Sequence, residues 1–275
     1  MPAETTIAEL LARYDGILLD AFGVLVDATG MLPAAPRLLR ALGERGTPFA
    51  IVTNDASRSL ATHARRFEGL VAPERVITAG SLLPAYFARH GLAGAPTCVL
   101  GTEASVDFVR EAGGVPVPLA TGMSFDVLAV CDDGGTPFLD GIELAASAVV
   151  RALDAGRRPH LVLPNPDLVY PKVPGELGFT AGAMAMLVEA AIARRHPDAP
   201  RFDVLGKPRP ALFEAAARRL GIAPARLVMI GDQLETDVAG AAAAGVATAL
   251  LTTGVSRWRA DSAIAPDHLL ATIEP

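Results

Sequence analysis

Short apolar runs of strand type alternate with longer stretches of helical spacing along most of this chain. That alternation points to an α/β fold with a parallel sheet covered on both faces. Gly16-Ile17-Leu18-Leu19 is a buried-type run that ends in Asp20. Between Pro36 and Arg45, Leu38, Leu39 and Leu42 share one helical face, and Gly46 supplies a stop signal. Phe49 to Thr53 reads as a second strand, followed by a helix from about Ser57 to Arg66. Thr97–Leu100, Val127–Cys131 and Leu161–Leu163 are further strands with helical segments between them. Asp203–Leu205, Leu227–Ile230 and Ala247–Leu251 continue the theme, separated by helices from about Ala211 and Glu235. Apolar residues make up 51% of the chain and aromatics 5%, which favours Ala- and Leu-rich helices on a sheet over an all-β core.

The chain is long enough for a core plus an inserted unit. Breaks are expected near Ala79-Gly80 and in the Pro- and charge-rich stretch Arg194 to Arg201. Residues 1–80 and 201–275 would then build a Rossmann-like core, and 81–200 an inserted α/β cap. The net charge of −6, with no Lys/Arg-rich run, argues against nucleic acid as a partner. The start, Met-Pro-Ala-Glu-Thr-Thr, lacks the blocks of a signal peptide, and runs such as Leu227–Ile230 are too short to span a bilayer. A cytoplasmic protein without membrane partners is therefore expected. Cys98 and Cys131 sit inside strand-like runs and read as buried thiols.

Four polar spots follow apolar strands, where an open parallel sheet presents its ligand site. They are Asp20; Thr53-Asn54; Gly206-Lys207-Pro208; and Gly231-Asp232 through Asp237. Taken singly, each also fits turn or cap chemistry. Taken together they suit phosphoryl transfer. A carboxylate nucleophile needs the phosphoryl group held in line and its charge neutralised. Asp20 and Asp232 are oxygen donors of the kind Mg²⁺ takes. Thr53 and Asn54 offer neutral donors beside a helix N-terminus. Lysine occurs only at Lys172 and Lys207 in an otherwise Arg-based set of cations, which draws attention to Lys207 as a compact point charge.

At these residues the sequence resembles the haloacid-dehalogenase superfamily. Asp20-Ala21-Phe22-Gly23-Val24-Leu25 is similar to its first motif, Thr53-Asn54 to its second, Lys207 to its third and Gly231-Asp232 through Asp237 to its fourth. Gly206-Lys207-Pro208, Thr253-Gly254-Val255, Asn165-Pro166-Asp167 and Thr180-Ala181-Gly182-Ala183 extend the likeness to the subfamily of sugar-phosphate, pyridoxal-phosphate and phosphoglycolate phosphatases, with its inserted cap. The resemblance implies a Mg²⁺-dependent hydrolase of a small phosphorylated molecule, with catalytic Asp20 and Lys207. Asp20 would form an aspartyl-phosphate; Thr53, Asn54 and Lys207 would bind the phosphoryl oxygens. Asp20, Asp232 and the Phe22 backbone carbonyl would ligate the metal, with Asp237 steadying bound water or Lys207. It also implies pairing of two copies through the cap.

The likeness breaks at Phe22. Phosphatases of this family carry there an Asp that protonates the leaving group, and the following Gly23-Val24-Leu25 stays in register. Three readings remain open. One is a phosphatase restricted to good leaving groups, or using Asp27 or Asp167 as proton donor. Another is a phosphate-ligand sensor without turnover. The third, a dehalogenase-like hydrolase, fits poorly with Asp232 and Asp237, because such enzymes need no metal. His63, His90, His160, His196 and His268 share no metal-ligand spacing, and Trp258 reads as packing.

Overall fold

The computed structural model describes residues 1–173 and 176–275. Two separate parallel sheets organise the chain, with an antiparallel hairpin beside the smaller one.

The larger sheet holds seven strands: β1 (Ala3–Thr5), β2 (Gly16–Leu19), β3 (Phe49–Thr53), β4 (Val76–Thr78), β12 (Leu227–Gly231), β13 (Ala247–Leu251) and β14 (His268–Leu270). Their spatial order is β1-β14-β13-β12-β2-β3-β4. From β2 the chain winds outward through β3 and β4, whereas β12 to β14 wind the other way. The strand order thus reverses between β2 and β12, where an open α/β sheet leaves a crevice at its carboxyl edge. Helices α1 (Ile7–Arg13), α2 (Ala35–Glu44), α3 (Leu60–Arg65), α8 (Ala211–Leu220) and α9 (Ala239–Ala243) belong to this part of the chain.

The smaller sheet holds β5 (Pro96–Leu100), β6 (Val115–Val117), β7 (Val127–Val130), β8 (His160–Leu163) and β11 (Asp203–Val204), in the order β11-β8-β7-β5-β6. Helices α4 (Leu83–His90), α5 (Glu103–Glu111), α6 (Phe138–Asp154) and α7 (Ala181–Ala193) accompany it. Strands β9 (Val169–Val173) and β10 (Glu176–Phe179) form the hairpin.

Both sheets are buried on two faces, so their strands read as continuous apolar runs. In β2, Ile17 and Leu19 pack with Leu38, Leu39 and Leu42 of α2, while Leu18 faces Leu212 and Phe213 of α8. In β7, Leu128 and Val130 meet Met184 and Val188 of α7, while Val127 and Ala129 meet Phe87 and Phe108 of α4 and α5. Each of the larger of these side chains contributes on the order of 1.5–3 kcal/mol through burial.

Three sequence expectations are corrected. Asp203–Leu205, expected with the last core strands, instead pairs through Asp203 and Val204 with β8 in the smaller sheet; two residues carry no periodicity that could assign them. Helix α3 begins at Leu60, because Asp55 Oδ1 accepts the N–H groups of Ser57 (2.6 Å) and Arg58 (3.1 Å) in a turn, and Ser59 then caps the helix. The helix expected from Glu235 opens as a widened turn, in which the Asp237 and Val238 N–H groups both donate to the Gln233 carbonyl.

Candidate active site

Asp20 and Asp232 stand just past the ends of β2 and β12, at the point where strand order reverses. The Asp20 N–H donates to the Ile230 carbonyl (2.9 Å), which continues the β2–β12 ladder to the carboxylate. Thr53-Asn54 ends β3 next door, and Lys207 arrives on the loop after β11. All five side chains named here are buried.

Lys207 joins the cluster. Its Nζ donates to Asp20 Oδ1 (2.7 Å), to Asp237 Oδ1 (2.6 Å) and, at 3.4 Å, to the Val52 carbonyl. Its backbone is fixed by Asn54, whose Oδ1 accepts the Lys207 N–H (2.7 Å) and whose Nδ2 donates to the Lys207 carbonyl (3.1 Å). The other Asp237 oxygen accepts the N–H groups of Asp232 and Gln233, each at 3.1 Å. This is what widens the turn at Leu234–Val238: the carboxylate points back at the strand end. Gly231 permits it, since a Cβ there would lie 2.2 Å from the Asp237 Cβ.

Asp232 is crowded in from two sides. A Cβ on Gly23, whose φ is +81°, would lie 2.1 Å from Asp232 Oδ2, and one on Gly254 would lie 2.2 Å from the Asp232 Cβ. The Val255 N–H donates to Oδ2 (3.0 Å), whereas Oδ1 is buried with no hydrogen-bond partner. Oxygen atoms of Asp20, Asp232 and Asp237 lie within 4.8 Å of one another. Three crowded carboxylates, one with an orphaned oxygen, make a donor set that fits a hard divalent cation.

The electrostatics follow from burial. Burial pushes the Asp20 carboxyl up; Lys207 opposes this and Asp237 and Asp232 reinforce it, leaving it well above the usual carboxylate range. Burial, then Asp237, pushes Asp232 up to about 7. Burial disfavours the Lys207 charge, but Asp20, Asp237 and Asp167 outweigh it and hold the ammonium protonated.

A cavity of about 340 Å³ opens over these groups. Asp20, Phe22, Thr53, Asn54, Arg58 and Arg66 line it from the larger-sheet side, and Asp132, Asp133, Asn165, Asp167 and Tyr170 from the other. Asn54 Nδ2 also donates to Asp167 Oδ1 (2.9 Å), joining the two parts across the cavity. Burial raises the Asp167 carboxyl against the pull of Lys207 and Asn54.

The two sequence candidates for a proton donor separate here. Asp167 lines the cavity. Asp27 instead folds its own loop: its Oδ1 accepts the Thr29 N–H and hydroxyl (both 2.7 Å) and the Gly30 N–H (3.1 Å). Sequence reasoning missed Arg58, Arg66, Asp55, Asp132, Asp133 and Tyr170. Asp55 and Arg58 continue the Thr53-Asn54 run and were within reach of it. Arg66 follows the end of α3 and carries no local signal. Cys98 and Cys131 are free buried thiols, and Trp258 packs against Leu234, Val238 and Leu250.

Comparison with known proteins points to one family. Residues 17–114 match the family described as haloacid dehalogenase-like hydrolase, and residues 204–274 a second family described as HAD-hydrolase-like. Mouse glycerol-3-phosphate phosphatase is 31% identical, with 90% of this chain and 81% of that protein aligned. Human chronophin is 32% identical over 91% of this chain and 85% of its own. A possible sugar phosphatase from Cytophaga hutchinsonii superposes with a TM-score of 0.85 at 26% identity, covering 100% of this chain and 99% of that one. The chain belongs to the haloacid dehalogenase-like hydrolases, in the branch that holds these phosphatases.

Proposed function

We propose that this protein is a Mg²⁺-dependent phosphoric monoester hydrolase that acts on a small phosphorylated metabolite through an aspartyl-phosphate at Asp20. The observation that carries the reading is the buried Asp20–Lys207–Asp237 chain, with Asp232 alongside, at the floor of the cavity. The named activities of the glycerol-3-phosphate phosphatase and sugar phosphatase relatives support the same reaction class.

In this reading Asp20 attacks phosphorus, and the electron pair of the broken P–O bond leaves on the substrate oxygen. Lys207 orients Asp20 and, with Thr53 and Asn54, takes the phosphoryl oxygens, whose charge is spread in a loose transition state. Asp237 holds Lys207 in place and fixes the Asp232 backbone. Asp20, Asp232 and the Phe22 carbonyl would hold Mg²⁺, which when bound supplies positive charge to the phosphoryl group. Among the described residues no N–H donates to that carbonyl. The part built on the smaller sheet, from α4 to β11, acts as the cap that screens the cavity from water. The protein works in the cytoplasm, and two copies pair through the cap.

Phe22 offers no proton, so turnover is restricted to substrates with good leaving groups. The acidic triad speaks against a metal-free dehalogenase-like reaction. The test is hydrolysis of a panel of phosphate monoesters with and without Mg²⁺. Mg²⁺-dependent release of phosphate, abolished in Asp20→Asn, is expected; wild-type activity retained in Asp20→Asn contradicts the proposal.

A further inference from the structure

The Phe22 ring is not an empty replacement for an acid, because a cation lies on it. The Arg66 guanidinium carbon sits 4.9 Å from the ring centroid, and both residues line the cavity that holds Asp20. Arg66 is half-buried, yet it makes no ion pair among the described residues. Its Nη2 reaches the Asp27 carbonyl at 3.3 Å, and its Nη1 is buried without a partner. Neighbouring Arg58 differs: its Nη1 lies 2.5 Å from Asp55 Oδ2, and that carboxylate is ionised at neutral pH. Burial and then the repulsion of Arg58 work against the Arg66 charge, more than the nearby Asp55 and Asp27 favour it, although an Arg stays protonated regardless. Of the cavity's other acids, Asp20 and Asp232 belong to the cluster beside Lys207, and Asp132, Asp133 and Asp167 come from the opposite wall. Arg66 is therefore a guanidinium held at the substrate cavity with no direct carboxylate partner among the described residues and with Nη1 unused, an arrangement that suits an anion.

Resting on the proposed reaction at Asp20, we infer that Arg66 binds the departing oxygen of the substrate, and that the substrate class is acyl phosphates, whose leaving group is a carboxylate. The Asp20 Oδ–P bond forms, the P–O bond to the acyl group breaks, and the electron pair stays on the carboxylate oxygen. No proton is needed in this half of the reaction, because a carboxylate is stable at neutral pH. A guanidinium cannot donate a proton there, but its planar fork matches a carboxylate. An alkoxide gains far less from such a site, since it needs protonation as well. The cavity of about 340 Å³ suits a small acyl group.

The test uses full-length protein with Mg²⁺, and acetyl phosphate against glycerol 3-phosphate as probes. Wild type is expected to turn over acetyl phosphate faster than the alkyl ester. Arg66→Gln should lose about 10–100-fold in kcat/KM for acetyl phosphate, the scale of one charge-assisted hydrogen bond. The alkyl ester should change little. Arg66→Ala, checked for native circular dichroism, should regain acetyl phosphate turnover with added guanidinium ion, an effect no purely structural role produces. Wild type that prefers the alkyl ester overturns the substrate class. Equal losses on both substrates, without guanidinium rescue, overturn the role of Arg66. In both of those outcomes an Asp20-dependent activity leaves the parent reading standing; activity that survives Asp20→Asn sinks the parent reading instead.

Discussion

Lys207 is the residue on which the site's charge balance turns. It is buried between Asp20 and Asp237, and no other ammonium or guanidinium contacts either of these two carboxylates among the described residues. Lys207→Met keeps much of the volume but leaves both carboxylates without their partner. Truncating one member of a buried ion pair costs about 3–5 kcal/mol, so the urea midpoint should fall by that equivalent in metal-free buffer. Unchanged stability would mean the network is not closed in solution. Asp232 makes the opposite case. Its orphaned Oδ1 and its crowding against Asp20 and Asp237 predict that Mg²⁺ raises the melting temperature of wild type. Asp232→Asn should abolish that rise. Equal Mg²⁺ stabilisation in both proteins would place the cation elsewhere.

At the scale of elements, the site depends on how strand ends and helices meet. Helix α8 backs β2 through Phe213, which also fills the space beside Gly240; a Cβ on that glycine would lie 2.7 Å from the Phe213 ring. Phe213→Ala should destabilise the larger-sheet part by about 3–5 kcal/mol through the cavity it leaves. Phe213 lies in the apolar cluster with Leu18 and Met229 and does not line the cavity, so Mg²⁺ affinity of the folded fraction should not move. A changed affinity would show that α8 positions the site directly. Thr102 plays a joining role: its hydroxyl donates to the Ser57 carbonyl (2.6 Å) and also caps α5 by accepting the Ser105 N–H. Thr102→Val should cost about 1–2 kcal/mol and speed amide exchange in the Asp55–Arg58 turn. Protection unchanged in that turn would argue that Ser105, which donates to the Ala56 carbonyl (2.7 Å), suffices alone.

For the whole molecule, the parallel α/β plan was legible because buried strands write continuous apolar runs, and Asp20, Thr53-Asn54 and Asp232 follow those runs directly. Lys207 was legible through its rarity and its Gly-Pro neighbours. What stayed hidden depends on contacts between distant segments. Asp27 and Asp167 looked equivalent in sequence, but one closes its own loop while the other reaches across to Asn54. Arg66 is one arginine among many until the fold lays it on Phe22, 44 positions away in sequence. Strand β11 is too short to announce which sheet it joins. These are tertiary facts, and local pattern cannot carry them.

The central claim is that Asp20 is the group that accepts phosphorus, and one structure tests it. Crystals of the protein with Mg²⁺ and beryllium fluoride, a mimic of an acyl-phosphate, should contain the fluoride complex bonded to an Asp20 oxygen, with Lys207, Thr53 and Asn54 around it and the cation against Asp232. A fluoride complex bound away from Asp20, or bound equally in Asp20→Asn, contradicts the account.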